Sequence, residues 1–362
     1  MMANVPAERV GIVMINFGEP EDPTAANVES YLERIFLQNA SLEDGAADPK
    51  ARARDLAKRR APDLLREYRD IGGSPLNAQA DAQAEGLQAT LRGAGWDVNV
   101  YSAFQFTAPS ISEMVTRARA DEVATLVALP VFPLCGHSTS VSAVNGVREA
   151  MVQMAWNPRF TGITGWHFSP EYVRLWADQI EDLLTRQHLD LNDPDTLLYF
   201  SAHGTPTKYL QAGNRYDRYV AEHCQEVSRM LRAEQYAVGF QNHSARGIPW
   251  TQPDNEDEIR RMDATRLVVV PISFMHEQSE TLVELDIDLR RFAEGLGKSF
   301  HRVPVPHDDP RFTRFLAQLV GQLVGTNSGA PRGLARCRCN SAPGVWCTNG
   351  DRDLPPSPYF VS

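Results

Sequence analysis

Apolar residues in this chain are grouped in two ways, and the two groupings alternate. Short continuous runs rich in β-branched residues lie at 10–16 (VGIVMIN), 98–104, 124–132, 196–206 (TLLYFSAHGTP) and 267–272. Runs of this length and type read as strands buried on both faces, the kind found in parallel sheets. Between them, apolar positions recur every three or four residues. Val28, Leu32 and Ile35 follow Thr24, a residue type that caps helices; Val173, Trp176, Ile180, Leu183 and Leu184 follow Ser169 and Pro170. Tyr216, Val220, Cys224, Val227 and Leu231 share one face of a helix over 214–231, which makes Cys224 a core thiol. Ser74 and Pro75 start a helix running to about residue 92, a short helix begins near Ser110, and 311–324 reads as a last amphipathic helix. Strand and helix in alternation predict βαβ units, hence an α/β fold with parallel sheets. Residues 303–307 read as a further strand edge, and the basic stretch 51–69 as a solvated helix broken at Pro62. A chain of 362 residues suits two domains, with the crossover near the helix that begins at Ser169.

Two places in this pattern carry chemistry. After the run 267–272 comes a helical stretch in which Glu277, Glu280, Glu284 and Asp288 recur at spacings of three and four. About 100° per residue puts these carboxylates on one face, with Leu282, Leu285, Leu289 and Phe292 on a core face. Acids at helical spacing commonly just face water. An acidic row leaving the carboxyl end of a parallel strand also suits the movement of protons or a divalent cation, because ligands of open α/β sheets bind in that crevice. The second place is His203, at the end of a predicted strand and followed at once by Gly204 and Pro206.

FSAHGTP together with PISF and SETLVELD closely resembles the ferrochelatase family, and INFGEPEDPTAANVESYLERIFL resembles its N-terminus. The resemblance covers about residues 9 to 325. It implies two Rossmann-like α/β domains with parallel sheets flanked by helices, at 9–174 and 175–307, with helix 308–325 packing back on the first and a porphyrin cleft between them. It also implies a lyase that inserts ferrous iron into protoporphyrin IX to form haem. His203 would then be the general base, Glu280 a proton relay or iron ligand, and Glu284 and Asp288 the outward continuation of an iron and proton path. Phe17 would lie against the porphyrin. KRRAP followed by EYRDIGGSPL looks like the family's lip segment, which makes Arg59 and Arg60 candidates for the porphyrin propionates, a task suited to guanidinium groups.

The chain departs from the family at Gln105 and Phe106, at Asn242 and His243 in FQNHSARGIPWTQP, and at Gln278, where an acid-His pair is common and His276 stands nearby. His243 receives no role on this reading. The departures keep open a coproporphyrin III chelatase and a non-catalytic porphyrin or haem carrier or sensor.

Composition narrows the field. A formal charge of -10 and a pI near 5.4 argue against nucleic acid as a partner, since phosphate binding needs a basic surface. No run of about 18 apolar residues and no signal-peptide core occur, which predicts a cytoplasmic protein with at most peripheral membrane contact, monomeric or homodimeric. The five cysteines do not resemble a disulfide scaffold in a chain this long. Three of them, Cys337, Cys339 and Cys347, lie in the tail 326–362, which is rich in Gly, Pro, Ser and Asn and has no period of its own. Such a segment stays unstructured unless something ties it down, and thiolates can do so by binding a metal. The loop PLCGHSTSVS sits just past a predicted strand, so Cys135 and His137 are expected to face the crevice. Three tail cysteines plus Cys135 resemble the cluster-bearing ferrochelatases and imply a 2Fe-2S cluster. Zinc and free thiols are the other readings.

Overall fold

The β-branched runs become the strands at the centre of two sheets. The computed structural model describes residue 6 and residues 8–43, 48–243, 247–325, 331–348, 354, 357 and 359. Its first half contains β1 (Val10–Asn16), α1 (Ala25–Gln38), α2 (Pro49–Asp70), α3 (Leu76–Gly93), β2 (Val98–Phe104), α4 (Ile111–Ala120), β3 (Thr125–Pro130), α5 (Ser142–Gln153) and β4 (Arg159–Ile163). Helix α6 (Pro170–Gln187) leads into β5 (Thr196–His203), α7 (Thr207–Gln211), α8 (Tyr216–Leu231), β6 (Tyr236–Gln241), α9 (Asn255–Arg261), β7 (Arg266–Pro271), α10 (Ser279–Leu282), α11 (Arg290–Gly295) and β8 (Ser299–Arg302). Helix α12 (Pro310–Val324), β9 (Ala335–Arg336) and β10 (Val345–Cys347) follow.

One sheet runs β2-β1-β3-β4-β10-β9 and the other β6-β5-β7-β8. All the pairs are parallel except β9 with β10. Strands β1 and β3 are buried along their whole length, as continuous apolar runs require. The two sheets share an inner core: one cluster of buried residues extends from Val10 and Leu126 through Trp166, Tyr172 and Phe312 to Phe200 and Val270. Helix α12 contributes Phe312, Phe315 and Leu319 to it and packs on α3, α6, β3 and β4. Among the described residues no helix is long and apolar enough to cross a membrane.

Several elements differ from the sequence expectation. Pro62 does not break its helix: α2 continues for 22 residues. A proline costs one backbone bond and crowds one turn, and the packing of α1 on α2 around Ala57, Ala61, Leu64 and Tyr68 holds the helix through it. The last strand of the second sheet is Ser299–Arg302; the Val303 N–H still donates to the Val269 carbonyl of β7 (2.8 Å), and Val303 and Val305 are buried in the core beyond it. The tail is structured over 331–348. It adds β10 alongside β4, pairing Val345 with Gly162 and Trp346 with Ile163, and sends Leu334, Cys337, Val345 and Cys347 into the main core.

Candidate functional site

The carboxyl ends of β1, β3, β5, β6 and β7 converge on a cavity of about 600 Å³ between the sheets. Its floor is built around His203. The backbone N–H of His203 donates to Ser273 Oγ (2.9 Å), its carbonyl accepts from Tyr216 Oη (3.0 Å), and its Nδ1–H donates to the Gly204 carbonyl (2.6 Å). The last bond makes Nδ1 the donor on that side and turns Nε2 toward the cavity. Position 204 admits only glycine, since a Cβ there would meet the Gln241 carbonyl at 2.8 Å as well as the Asn242 side chain.

Glu280 lies opposite, its Oε1 3.1 Å from His203 Nε2 and 3.6 Å from His243 Nε2. The two imidazole Nε2 atoms are themselves 3.1 Å apart. Gln278, one of the departures from the family pattern, donates its amide to Glu280 Oε2. Gln241, at the end of β6, donates to the Glu280 carbonyl (2.9 Å) and to Glu284 Oε2 (3.0 Å). Burial pushes the Glu280 carboxyl up, but the bonds from His203 and His243 outweigh it and hold it well below the usual carboxylate range. Burial raises Glu284, and the Glu280 charge adds to the rise. Burial works against the charged form of His243, yet its bond to Glu280 prevails and the imidazole is raised to about 8. Two neighbouring carboxyls pushed in opposite directions are the usual mark of divided acid and base roles.

The acidic row is shorter than its spacing suggested. After α10 the chain makes a π-helical turn, Glu284–Leu289, in which the Asp288 N–H donates to the Val283 carbonyl five residues back. Asp288, near the end of this turn, is an outer group. It pairs with Arg291 at the surface and does not line the cavity. Glu277 turns away as well, held at 2.9 Å by Arg302, whose guanidinium also grips Asp286. Glu280 and Glu284 are therefore the two acids of the row that line the cavity.

The walls are apolar and aromatic. Phe17 lines the cavity and packs on Phe106, ring centroids 4.6 Å apart, with Tyr31 edge-on to both. Phe106, another of the departures, is thus a buttress for Phe17. Gln105 donates to the Ser138 carbonyl (3.3 Å). Arg59 and Arg60 line the cavity from α2; Arg59 donates to the Asp55 carbonyl of its own helix, while Arg60 is paired with Glu67 at 2.6 Å. His137 lines the cavity and stacks on Tyr209 at 4.4 Å. His276 also lines it, but Nε2 is bonded to Gln83 (2.9 Å) and burial depresses the imidazole to about 3, which makes it a neutral structural group.

Cys135 does not face this cavity. Its side chain is fully buried and points the other way, with Sγ 3.9 Å from that of Cys337. Cys135, Cys337 and Cys339 place their sulfurs within 4.8 Å of one another, and Cys347 hydrogen-bonds Cys337. All five cysteines are free thiols, Cys224 buried apart from the rest in α8. Cys337 is held below the usual thiol range, because Cys135, Cys339 and Cys347 donate to it, and Thr164 Oγ1 (2.9 Å) and the Asn340 N–H (3.3 Å) add to them.

Two residues of the site escape a reading of the sequence. His243 stands two positions beyond β6, a strand whose half-exposed start (Tyr236, Ala237) hides it from a search for continuous apolar runs. Recognised as a strand paired in register with β5, Gln241 opposite His203, it would have put His243 at a strand end like the first histidine. Glu19 is a buried carboxyl that accepts from Tyr68 Oη (3.0 Å), Ser279 Oγ (2.5 Å) and Ser74 Oγ, tying the β1 end to α2, α3 and the start of α10. Burial raises it despite those bonds. Residues 244–246 of the same loop as His243 lie outside the described residues.

A family model described as ferrochelatase matches residues 9–323. The chain is 34% identical over 342 residues to a ferrochelatase of Synechococcus sp. (strain JA-3-3Ab), covering 88% of this chain and 95% of that one. It is 32% identical to a ferrochelatase of Thermosynechococcus vestitus, over 88% of this chain and 83% of the relative. Among solved structures, SirB from Bacillus subtilis with Fe3+ superposes with a TM-score of 0.53 at 9% identity, covering 87% of this chain and 95% of that one, a likeness of fold.

Proposed function

This chain belongs to the ferrochelatase family and inserts iron into a porphyrin to form haem, and from that premise we propose that protoporphyrin IX is the substrate and that His203 and Glu280 do the chemistry. The observation that carries the assignment is the 3.1 Å approach of His203 Nε2 to Glu280 Oε1 on the floor of a cavity with apolar walls. A porphyrin holds two pyrrole N–H protons in a flat ring, so iron cannot enter until the ring is bent and the protons leave. Phe17, backed by Phe106 and Tyr31, offers a rigid aromatic surface against one ring face, and a rigid cleft can hold a ring distorted at the expense of binding energy elsewhere. Arg59 and Arg60 at the rim take the propionates. His203 Nε2, turned into the cavity by the bond from Nδ1–H, accepts a pyrrole proton once its own proton has passed to Glu280. Glu280, ionised again, stabilises the imidazolium that results. Glu284, the more easily protonated of the two acids, takes the proton next and releases it to solvent, and the second pyrrole proton leaves by the same relay.

His203→Ala and Glu280→Ala are each expected to abolish anaerobic ferrous insertion while the variants still quench porphyrin fluorescence. Near-wild-type turnover in either would remove the assignment. Comparing protoporphyrin IX with coproporphyrin III in the same assay tests the substrate, and faster metallation of the second would replace the first.

The reading extends to the tail. Cys135, Cys337, Cys339 and Cys347 hold a 2Fe-2S cluster, a four-thiolate set with hydroxyl and amide donors around the sulfurs of the kind that such clusters and structural zinc both take. The cluster fastens the tail, and the steps of insertion run on His203 and Glu280. Ferrous substrate and five free thiols suit a reducing compartment, which is why the cytoplasm is part of this reading. Iron-replete protein purified without air should be coloured and should lose its visible band on Cys337→Ser. Colourless wild-type protein holding one zinc would exchange the cluster for zinc.

A further inference from the structure

We propose that Glu19 is a positioning residue for the insertion step: through Ser279 it keeps the Glu280 carboxylate in register with the cleft wall that carries Phe17 and the α2 arginines. This rests on the reading that Glu280 acts in metallation of the ring.

Glu19 stands two residues after Phe17, beyond the end of β1, and is 4% exposed. One side chain clamps its main chain from both sides: Asn77 Oδ1 accepts from the Glu19 N–H (3.0 Å), and Asn77 Nδ2 donates to the Glu19 carbonyl (2.8 Å). With its backbone held, the carboxylate is aimed across the cleft. Oε1 accepts from Tyr68 Oη (3.0 Å) and Ser279 Oγ (2.5 Å), and Oε2 accepts from Ser74 Oγ and from the Ser279 N–H (3.4 Å). Tyr68 belongs to α2, the helix of Arg59 and Arg60, and packs in one cluster with Tyr31, Phe106 and Phe17. Ser279 opens α10 and is the residue immediately before Glu280. A single carboxyl therefore joins the wall offered to the ring to the floor that receives its protons.

Holding the two halves together does not by itself call for an acid. Apolar side chains would do that without the cost of burying a charge, and here burial raises the Glu19 carboxyl while the Glu280 charge adds to the rise against the bonds from Ser279, Ser74 and Tyr68. What a carboxylate adds is direction, because hydrogen bonds weaken steeply off line. Ser279 is fixed at both its hydroxyl and its N–H, and adjacent Cα atoms are a rigid ~3.8 Å apart, so a shift at Ser279 passes to Glu280. Gln278 steadies the same carboxylate from its Oε2 side. Proton transfer needs partners within about 2.6–3.2 Å, and a misplacement of about 1 Å can cost about 100-fold.

The test is anaerobic ferrous insertion by Ser279→Ala, Glu19→Leu and the double variant, with turnover expressed per porphyrin bound in a fluorescence-quenching titration. Ser279→Ala removes one hydroxyl and leaves Glu19 with Tyr68 and Ser74. Its kcat should fall at least about 10-fold, towards the about 100-fold cost of displacement, with porphyrin affinity unchanged. The double variant should be no slower than Glu19→Leu alone, since residues that act through one contact do not add. Unchanged kcat in Ser279→Ala, a loss of porphyrin affinity in place of kcat, or losses that multiply in the double variant would overturn the proposal. The first two need no Glu19 variant, so the test stands even if Glu19→Leu fails to fold. Glu280→Ala in the same assay separates the two claims: an inactive Glu280→Ala beside a fully active Ser279→Ala sinks the positioning role alone, whereas near-wild-type turnover in Glu280→Ala sinks the reading of the site beneath it.

Discussion

Arg302→Met should loosen the acidic segment from outside the cleft. The Arg302 side chain is 9% exposed, and its guanidinium donates to Glu277 Oε1 (2.9 Å), Asp286 Oδ1 (2.8 Å) and Asp286 Oδ2 (2.7 Å). Glu277 precedes Glu280 and Asp286 follows Glu284, so this one cation from β8 fastens both ends of the stretch that carries the cavity acids. Removing one partner of a buried ion pair costs about 3–5 kcal/mol, because the other charge is stranded. Asp286 is 25% exposed and keeps Arg290 as a partner at 3.4 Å, so the stranded charge is chiefly Glu277 and the expected loss lies near the bottom of that range, about 3 kcal/mol. Urea unfolding followed by circular dichroism reads it directly. Glu277→Gln/Asp286→Asn/Arg302→Met should recover much of the loss, since the stranded charges go with the cation. Turnover should fall by about 100-fold in the single variant, the cost of displacing a catalytic group by an ångström. A loss under about 1 kcal/mol, or an equal loss in the triple variant, would refute the stranded-charge argument.

Other perturbations probe the supports of the site. Glu19→Leu removes the acceptor of the Tyr68, Ser74 and Ser279 hydroxyls and should cost at least about 2 kcal/mol in urea unfolding, at 1–3 kcal/mol for each buried donor left unpaired. Gly204→Ala must move the Gln241 carbonyl that its Cβ would meet at 2.8 Å; an overpacking cost of about 1–3 kcal/mol in thermal unfolding is expected, with lower turnover because Gly204 also orients His203. Asp309 caps α12; burial raises its carboxyl, but the bonds from Arg311 prevail and hold it below its ordinary 3.8. A depressed carboxyl contributes stability that is present above the unfolded value and lost as pH falls through the folded one. Asp309→Asn should therefore lower stability at pH 7 and make less difference near pH 3, and a pH-independent difference would contradict the Arg311 explanation.

The strands legible in the sequence were those buried on both faces. VGIVMIN in β1 and the runs behind β3, β5 and β7 announce themselves because their apolar residues are nearly continuous, and β2 does so by its alternation of Val98, Val100 and Tyr101 with Asn99 and Ser102. Strands β4 and β6 begin at the surface with Arg159 and Tyr236, β9 and β10 are two and three residues long, and no local signal distinguishes them from loop. His203 and Glu280 were readable because each stands next to such a run. His243 was not, because its strand was not. The helix after β7 was legible but its turn was not: spacing assumes 3.6 residues per turn, and the π turn at Glu284–Leu289 goes with Leu285 and Leu289 in the second core and Arg302 on Asp286. Cys135 shows the limit of the strand-end rule. Its loop borders the cleft, as His137 confirms, but neighbouring side chains on a loop can face opposite ways, and only the tail reveals what lies on the other side.

Strand β10 occupies the flank of β4, and the Gly162 and Thr164 N–H groups donate to the carbonyls of Gly344 and Trp346. Without residues 331–348, β4 would be an open edge, a row of unpaired N–H and C=O groups that can template pairing with another chain. The tail is therefore a stopper against self-association as much as an appendage. Its seat depends on sulfurs that draw together around Cys337, so their chemical state bears on whether the sheet ends cleanly or recruits a neighbour.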